Sequence, residues 1–576
     1  MRTKSVILSF LLCLFYTAAF TQRENTNTFS NGPENYQTVF FNPFSYDDFS
    51  YRFSSLTNNT NQSFGKRIYT PLSALFSLKD SVLLDSLKAV SNIYLVLGSR
   101  KNQALQLENL QRIGKSTFLY LNYNSVASLG FVKNSASRNR CFDFQVSHNS
   151  KNYNLDAGFL FVSNYDGSPG GISDSVVSSN YSKRDLLQLD VNLNNDYLRK
   201  RFFNVDLKHQ FNLYSSLNGE KDISFSLQNN YSRFGFLYAG DGFNPFYNNV
   251  FYDSSATNDT CGYSWLKNEM GLTTKLNFWK FNVNVVNEDF NLQMMDSLYH
   301  FNDWSVKSSF SFNRNNFNFY GSFSKNVGNY FRQNNQEAKI GLLYQLNHHF
   351  IRSIELISNY SLLNVPFVYQ KQFSNHYYWD LLNNNAIEQF RHLVNVKMKN
   401  NFLLNASATS YKNRVYLNEK INPEVSNLKE SIFSLQLSYN DTIGKLHLIE
   451  IASYNYSNSS FFPVIPIQSF TRIGYMFSLF KNNLKVEAGV SGIYNNSWYA
   501  TSYSPALDDF YLQSEKKFGG LAVLNVFADF KIKSATLFLK VERVNIGWFK
   551  ENSFIRDGYI APPRTIRFGF NWPLTN

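Results

Sequence analysis

Beyond Gln22 the chain has no run of 18 or more apolar residues, which excludes a membrane span made of helix. Cysteine is nearly absent. Of three among 576 residues, Cys13 lies in the leading apolar stretch, leaving Cys141 and Cys261. Two thiols are no disulfide scaffold, so stability must come from the backbone and its packing. The Lys and Arg residues form no dense block, which weighs against a nucleic-acid partner. There is no G-x-S-x-G elbow, no phosphate-cradling Walker loop and no H-E-x-x-H pair. The nearest metal-like feature, His348-His349, has no carboxylate or thiol at ligand spacing and reads as a solvated turn. No catalytic residue, metal or cofactor is expected, although a site assembled from separate strands escapes a local motif search.

What is present is aromatic. The chain carries 37 Tyr and 56 Phe, 17% aromatic with Trp, yet its mean hydropathy is −0.32. The start reads as a cleaved secretory signal. Arg2 and Lys4 precede an apolar stretch from Ser5 to Phe20, and Ala19 and Thr21 suit a cut before Gln22. Cys13 is a poor lipoprotein anchor, because it sits mid-stretch with no small residue before it. Removing residues 1–21 takes away two of the 55 Lys and Arg and none of the 42 Asp and Glu, leaving +11. Residues 22–90, rich in Asn, Ser, Thr and Phe, read as a partly irregular periplasmic segment.

From about Asn92 apolar and polar residues alternate in stretches of about ten, the signature of half-buried strands. Phe142, Phe144 and Val146 lead through Asn149-Ser150-Lys151-Asn152 to Tyr153, Leu155, Ala157 and Phe159. Further hairpins turn at Asn313–Asn316, Lys399–Asn401, Lys481–Asn483 and Lys533-Ser534. Between them lie long connections: Asn364–Ala386, Asn413–Glu430 and Asn495–Lys517. Tight turns on one side and long loops on the other fit a transmembrane antiparallel up-and-down β-barrel spanning residues 91–576. Parity predicts about 20 strands, an even number from 16 to 22, and places Leu186–Leu193 in a loop or the lumen despite its alternation. Trp279, Phe317, Phe350, Phe402 and Phe480 flank the tight turns, as a periplasmic aromatic girdle would. Strand phase points Asp206, Lys208, Arg391, Lys397, Lys485, Glu487, Lys540, Glu542 and Arg567 inward. They either bias a pore toward anions or pair and merely keep the wall polar. Cys141 and Cys261 fall on different strands, and a bridge needs Cα atoms within about 7 Å.

Two stretches carry a family resemblance: Tyr94–Gln103, with Leu110-Gln111-Arg112 and Phe118–Tyr123 following, and Ala561-Pro562-Pro563-Arg564-Thr565 leading into Ile566–Trp572. The chain resembles the plugless "putative porin" family of Bacteroidetes-type outer membranes. The Pro-Arg-Thr segment is also shared with TonB-dependent receptor barrels. The resemblance implies an outer-membrane, porin-like channel for passive diffusion of small hydrophilic solutes, and no enzyme. Residues 22–90 are too few and too irregular for a receptor plug. An alternative is an occluded barrel acting as an interaction or surface-binding protein through Tyr- and Asn-rich loops such as Asn244–Tyr252 and Tyr494–Tyr511; an outer-membrane enzyme is a weaker one. Expected partners are outer-membrane lipid and lipopolysaccharide, against which scattered positive charge is natural, the barrel assembly machinery, small solutes, and optionally further copies of the chain. Pro573, Leu574, Thr575 and Asn576 follow Trp572, so the terminal aromatic that the machinery reads is displaced, which bears on assembly efficiency.

Overall fold

The structure, a computed structural model, describes residues 88–173, 186–216, 221–328, 335–346, 350–381, 386–546 and 554–575. The expected signal peptide, nearly all of the 22–90 segment and His348-His349 lie outside the described residues.

Twenty-two strands form one closed sheet. In chain order they begin with β1 (Ala89–Gly98), β2 (Asn102–Ile113), β3 (Thr117–Ser128), β4 (Ser137–Asn149), β5 (Tyr153–Gly167), β6 (Tyr197–Ser215) and β7 (Lys221–Asp241). Next come β8 (Ala256–Leu276), β9 (Trp279–Met294), β10 (Ser297–Arg314), β11 (Phe317–Asn326), β12 (Gln336–Gln345), β13 (Ile351–Leu363) and β14 (Ile387–Met398). The last are β15 (Leu403–Lys412), β16 (Glu430–Ile443), β17 (Leu446–Ser457), β18 (Ile467–Leu479), β19 (Leu484–Asn495), β20 (Leu521–Ile532), β21 (Ala535–Glu542) and β22 (Thr565–Thr575). Each pairs antiparallel with its chain neighbours. β22 also pairs with β1, Val96 opposite Gly569 and Ile93 opposite Trp572, so no edge is left. Closure is what lipid demands, since it offers no partner to an open edge.

The end that holds the start of β1 and the end of β22 carries only links of two to five residues. Several turn on asparagine in the left-handed region: Asn277 (φ 51°), Asn315 (51°), Asn400 (57°) and Asn482 (68°). Asparagine tolerates that region because its short side chain bonds locally. The opposite end carries links of eight to 29 residues, with two exceptions, Ser99–Lys101 and Met295-Asp296. The strand count is therefore at the top of the expected range. Both short exceptions lack Gly and Pro, and Arg100 (φ 59°), Lys101 (52°) and Met295 (48°) take the left-handed turn instead. Their turn-forming residues, Ser99 and Asp296, are single and lack the Asn-Gly or Asp-Gly pairing that marks a tight hairpin. Leu186–Leu193 is a loop, as parity required. Its alternation arises because Leu189, Val191 and Leu193 are buried within the loop layer.

The two faces separate by parity. Val205, Val283, Val285, Leu356, Val394, Ile473, Val490, Val526, Leu539 and Phe568 stand exposed on the outside. An apolar outer wall of this kind is stable against hydrocarbon. Most polar and charged members of the same strands point inward, where water or partners receive them, with Arg199 and Arg201 at the long-loop end of β6 as outward exceptions. Among the described residues no helix is long and apolar enough to cross a membrane. Cys141 on β4 and Cys261 on β8 are free thiols.

Candidate solute path: the inner wall and its loop cap

Each residue expected to line the lumen is on an inward phase of its strand. They divide into two sets. Lys208, Arg391, Lys397 and Lys485 make no ion pair with a described residue, and Lys397 and Lys485 are exposed near the short-turn end. The others are engaged. Asp206 accepts from the Gln228 amide at 2.8 Å. Glu542 receives Lys540 at 3.1 Å, Arg567 at 2.9 Å and the Thr565 hydroxyl at 2.9 Å. Glu487 is 3.1 Å from Arg472 and 3.0 Å from His447.

That last contact belongs to a mid-wall cluster whose remaining members the sequence reading did not single out. Arg472 on β18 bridges Glu487 on β19 and Asp529 on β20, the latter at 2.7 Å, and lies 3.6 Å over the Phe527 ring. Both carboxylates are 1% exposed. A second inward group joins Glu269 to Lys267 at 3.1 Å and Lys307 at 3.7 Å. Strand phase marks these residues as inward, but their pairing needs strand neighbours and register.

The aromatic residues expected at the tight turns are all at that end. Trp279 and Phe317 open β9 and β11 on the outer face and share the Phe312 ring between them, at 4.8 and 6.1 Å. Phe402 packs on Tyr439 at 4.3 Å. Phe350 and Phe480 lie in the turns and are exposed.

The long loops fold together at the other end. Inward rings on β7, β8 and β9 form a ladder, Phe234 to Tyr263 at 5.4 Å and Tyr263 to Phe290 at 5.2 Å. Leu193, Tyr247, Phe367, Val368 and Ala506, from four different loops, bury that ladder. Asn375 locks two of the loops. Its backbone N–H donates to Asp259 at 2.7 Å, and its side-chain amide donates to the Asp253 carbonyl (2.7 Å) and to Thr257 (2.9 Å). Its side-chain oxygen accepts from the backbone N–H of Tyr252 and Asp253. Next to it His376 stacks on Tyr247 at 3.9 Å and bonds Thr257. Burial holds the His376 imidazole below its ordinary pKa, neutral and apolar enough to stack. Burial likewise pushes the Asp196 carboxyl, which accepts from Tyr238, up to about 6. Further links tie in the 496–520 loop and the described part of the loop before β22: Tyr369 donates to Asp509 at 2.5 Å, and Lys516 pairs with Asp557 at 2.8 Å. Among the described residues no three metal-ligating side chains converge.

Replacing Asn375 with alanine removes four side-chain hydrogen bonds, two of them to backbone donors of the exposed 252–253 segment, each worth about 0.5–1.5 kcal/mol. The 364–386 loop is expected to detach, and limited proteolysis of the folded protein should cut it at least about tenfold faster than in the parent. An unchanged cleavage rate would show that the apolar packing alone holds the cap.

No curated protein of known function matches the chain. Solved structures do. The FrpB iron transporter from Neisseria meningitidis aligns with a TM-score of 0.57 at 12% identity, over 87% of this chain and 83% of that one. The ferric-catecholate import receptor Fiu from E. coli K12 gives 0.56 at 13%, over 84% and 82%. The ferric preacinetobactin receptor BauA from Acinetobacter baumannii gives 0.55 at 10%, over 85% and 80%. At such identities the likeness is one of fold. The sequence itself decides the family: residues 84–576, the whole barrel, match the family described as "Putative porin", and the chain belongs to it.

Proposed function

We propose that the protein is an outer-membrane channel through which small hydrophilic solutes diffuse passively, with a preference for anions. The observation that carries this reading is the set of four inward cations, Lys208, Arg391, Lys397 and Lys485, with no ion-pair partner among the described residues, on the wall of a closed 22-stranded barrel. A unit charge in water still biases a counter-ion 10 Å away by roughly 0.4 kcal/mol, about a factor of two in local concentration. Salt screens it within a Debye length. The paired residues, Glu487, Lys540, Glu542 and Arg567, add polarity but little net field. The low-identity barrels above include iron importers, but nothing in this chain argues for their cargo.

Single-channel recording of the purified protein in a planar bilayer tests the proposal. Stepwise openings with an anion-selective reversal potential are expected at low salt. Changing all four cations to glutamine should lower the anion-to-cation permeability ratio by roughly threefold or more, and the effect should fade in 1 M salt. Openings with unchanged selectivity would remove the role of these residues.

The interlocked loops favour a second reading. If the cap stays shut, the barrel is occluded and its outer loops are the working surface. A folded but silent protein would support that view, and conductance appearing only in the Asn375→Ala variant would identify the cap as the gate.

A further inference from the structure

The outer wall carries a feature that the lumen does not explain. Strand phase puts Arg138 and Arg140 of β4 on the same face as the exposed Phe144 of that strand. Arg199 and Arg201 of β6 share the outer face with Val205. Register aligns these residues in two rows at the long-loop rim: Arg138, Tyr165, Arg199, and beside it Arg140, Ser163, Arg201. Lys101, in the short β1–β2 link, closes one side. Together they line an outward concavity of about 620 Å³ that contains no acidic residue. All five cations are exposed, and none makes an ion pair with a described residue. The small side chains of Ala127 and Ser163, register partners of Arg138 and of Arg140 and Arg201, line the depression between the cations.

Five like charges within a few strand widths repel one another unless an anion sits among them. Guanidinium groups are suited to phosphate, which they grip by two parallel hydrogen bonds. What lies next to the rows decides which phosphate. One step further from the rim, register aligns Phe142, Phe161 and Phe203 on the same outer face. Phe159 and Tyr231 extend this band, at 5.4 and 6.2 Å from Phe203. A ligand filling the concavity would meet charge at one end and a continuous aromatic band at the other. That amphipathic order matches a lipid headgroup with its acyl chains, and a free anion has no use for the second half.

We propose that this concavity is a binding site for the phosphate groups of a glycolipid of the outer leaflet, of the lipopolysaccharide class, with Arg138, Arg140, Arg199 and Arg201 as its phosphate ligands and Lys101 beside them. The site rests on the barrel's membrane placement and on no property of the lumen. A silent channel leaves it standing, and failure to bind lipid leaves conduction standing.

The test uses the full-length folded protein in neutral detergent, with bisphosphorylated lipid A as probe and native mass spectrometry as readout. Retention of lipid A is expected to fall by roughly tenfold or more when Arg138, Arg140, Arg199 and Arg201 are all changed to glutamine. It should hold when four turn lysines at the opposite end, Lys115, Lys399, Lys481 and Lys533, are changed in the same way. Dephosphorylated lipid A should be retained poorly, and millimolar inorganic phosphate should not displace the intact lipid. Equal retention by the arginine variant, equal loss in the lysine variant, or equal binding of dephosphorylated lipid would each overturn the proposal. Displacement by inorganic phosphate would replace it with a soluble-anion site. Heat-modifiable gel mobility confirms folding, and Arg140→Gln/Arg201→Gln repeats the comparison should the fourfold variant not fold.

Discussion

Replacing Arg472 with methionine is expected to destabilise the barrel by about 3–5 kcal/mol, as removing one partner of a buried ion pair typically does. The guanidinium stands between Glu487 and Asp529, both 1% exposed and on adjacent strands. Without it two carboxylates would face each other directly across the β19–β20 ladder, where Glu487 is register partner to Asp529. His447 can answer only Glu487, which it already contacts. The midpoint of urea unfolding, followed by the loss of the fast-migrating folded band, is the measurement. The triple change Arg472→Met/Glu487→Gln/Asp529→Asn should recover much of the loss, because it removes the stranded charges together with their partner. If the single variant unfolds at the parent's midpoint, the cluster is not a structural element of the wall.

A comparable effect is expected from a single methyl group at the seam. Gly569 on β22 pairs with Val96 on β1, and a Cβ there would collide with the Leu95 carbonyl oxygen and the Phe538 ring. The ring is itself held, stacked on Tyr94 at 6.3 Å. A ring edge can move, but a backbone oxygen in a ladder cannot move without loosening the ladder. Gly569→Ala should therefore cost about 1–3 kcal/mol or more and lower the yield of closed barrel. Gly158→Ala is the matched control. Its added Cβ would come no nearer than 3.9 Å to any neighbour, so folded yield should be unchanged. Equal yields from the two variants would mean that the seam adapts.

The hairpins were legible in the sequence because their alternation is strong and their turns carry asparagine. The barrel followed from the asymmetry of link lengths. Exact strand number was not legible, since at Arg100, Lys101 and Met295 the left-handed positions fall on residues that rarely adopt them, with only Ser99 and Asp296 beside them as turn formers. Inward phase was readable for every residue of the candidate wall. Which of them are free was not, because Lys485 and Glu487 sit two residues apart with the same phase and differ only in what β18 and β20 bring beside them. The loop cap was hidden for the same reason: Asn375 meets Asp253 and Asp259 from more than a hundred residues away. The rim arginines had a signal that could have found them, since the phase of Phe142 and Phe144 already sets Arg138 and Arg140 on the outer face.

The closed seam also constrains how the chain can change. Around the wall run 22 ladders, and the register offsets between successive strands must add to a fixed total by the time β22 meets β1 again. A residue inserted within one strand cannot be absorbed where it falls, because every pairing beyond it inherits the slip and the sum no longer returns to its starting value. The wall can accept such an insertion only as a bulge, as it does where β6 meets β7 beside Asn212 and where β13 meets β14 beside Ile351. Length variation is thereby expelled to the links, and chiefly to the end where they are already long. The ring behaves as a conserved count, and the loops are the place where that count is free to be ignored.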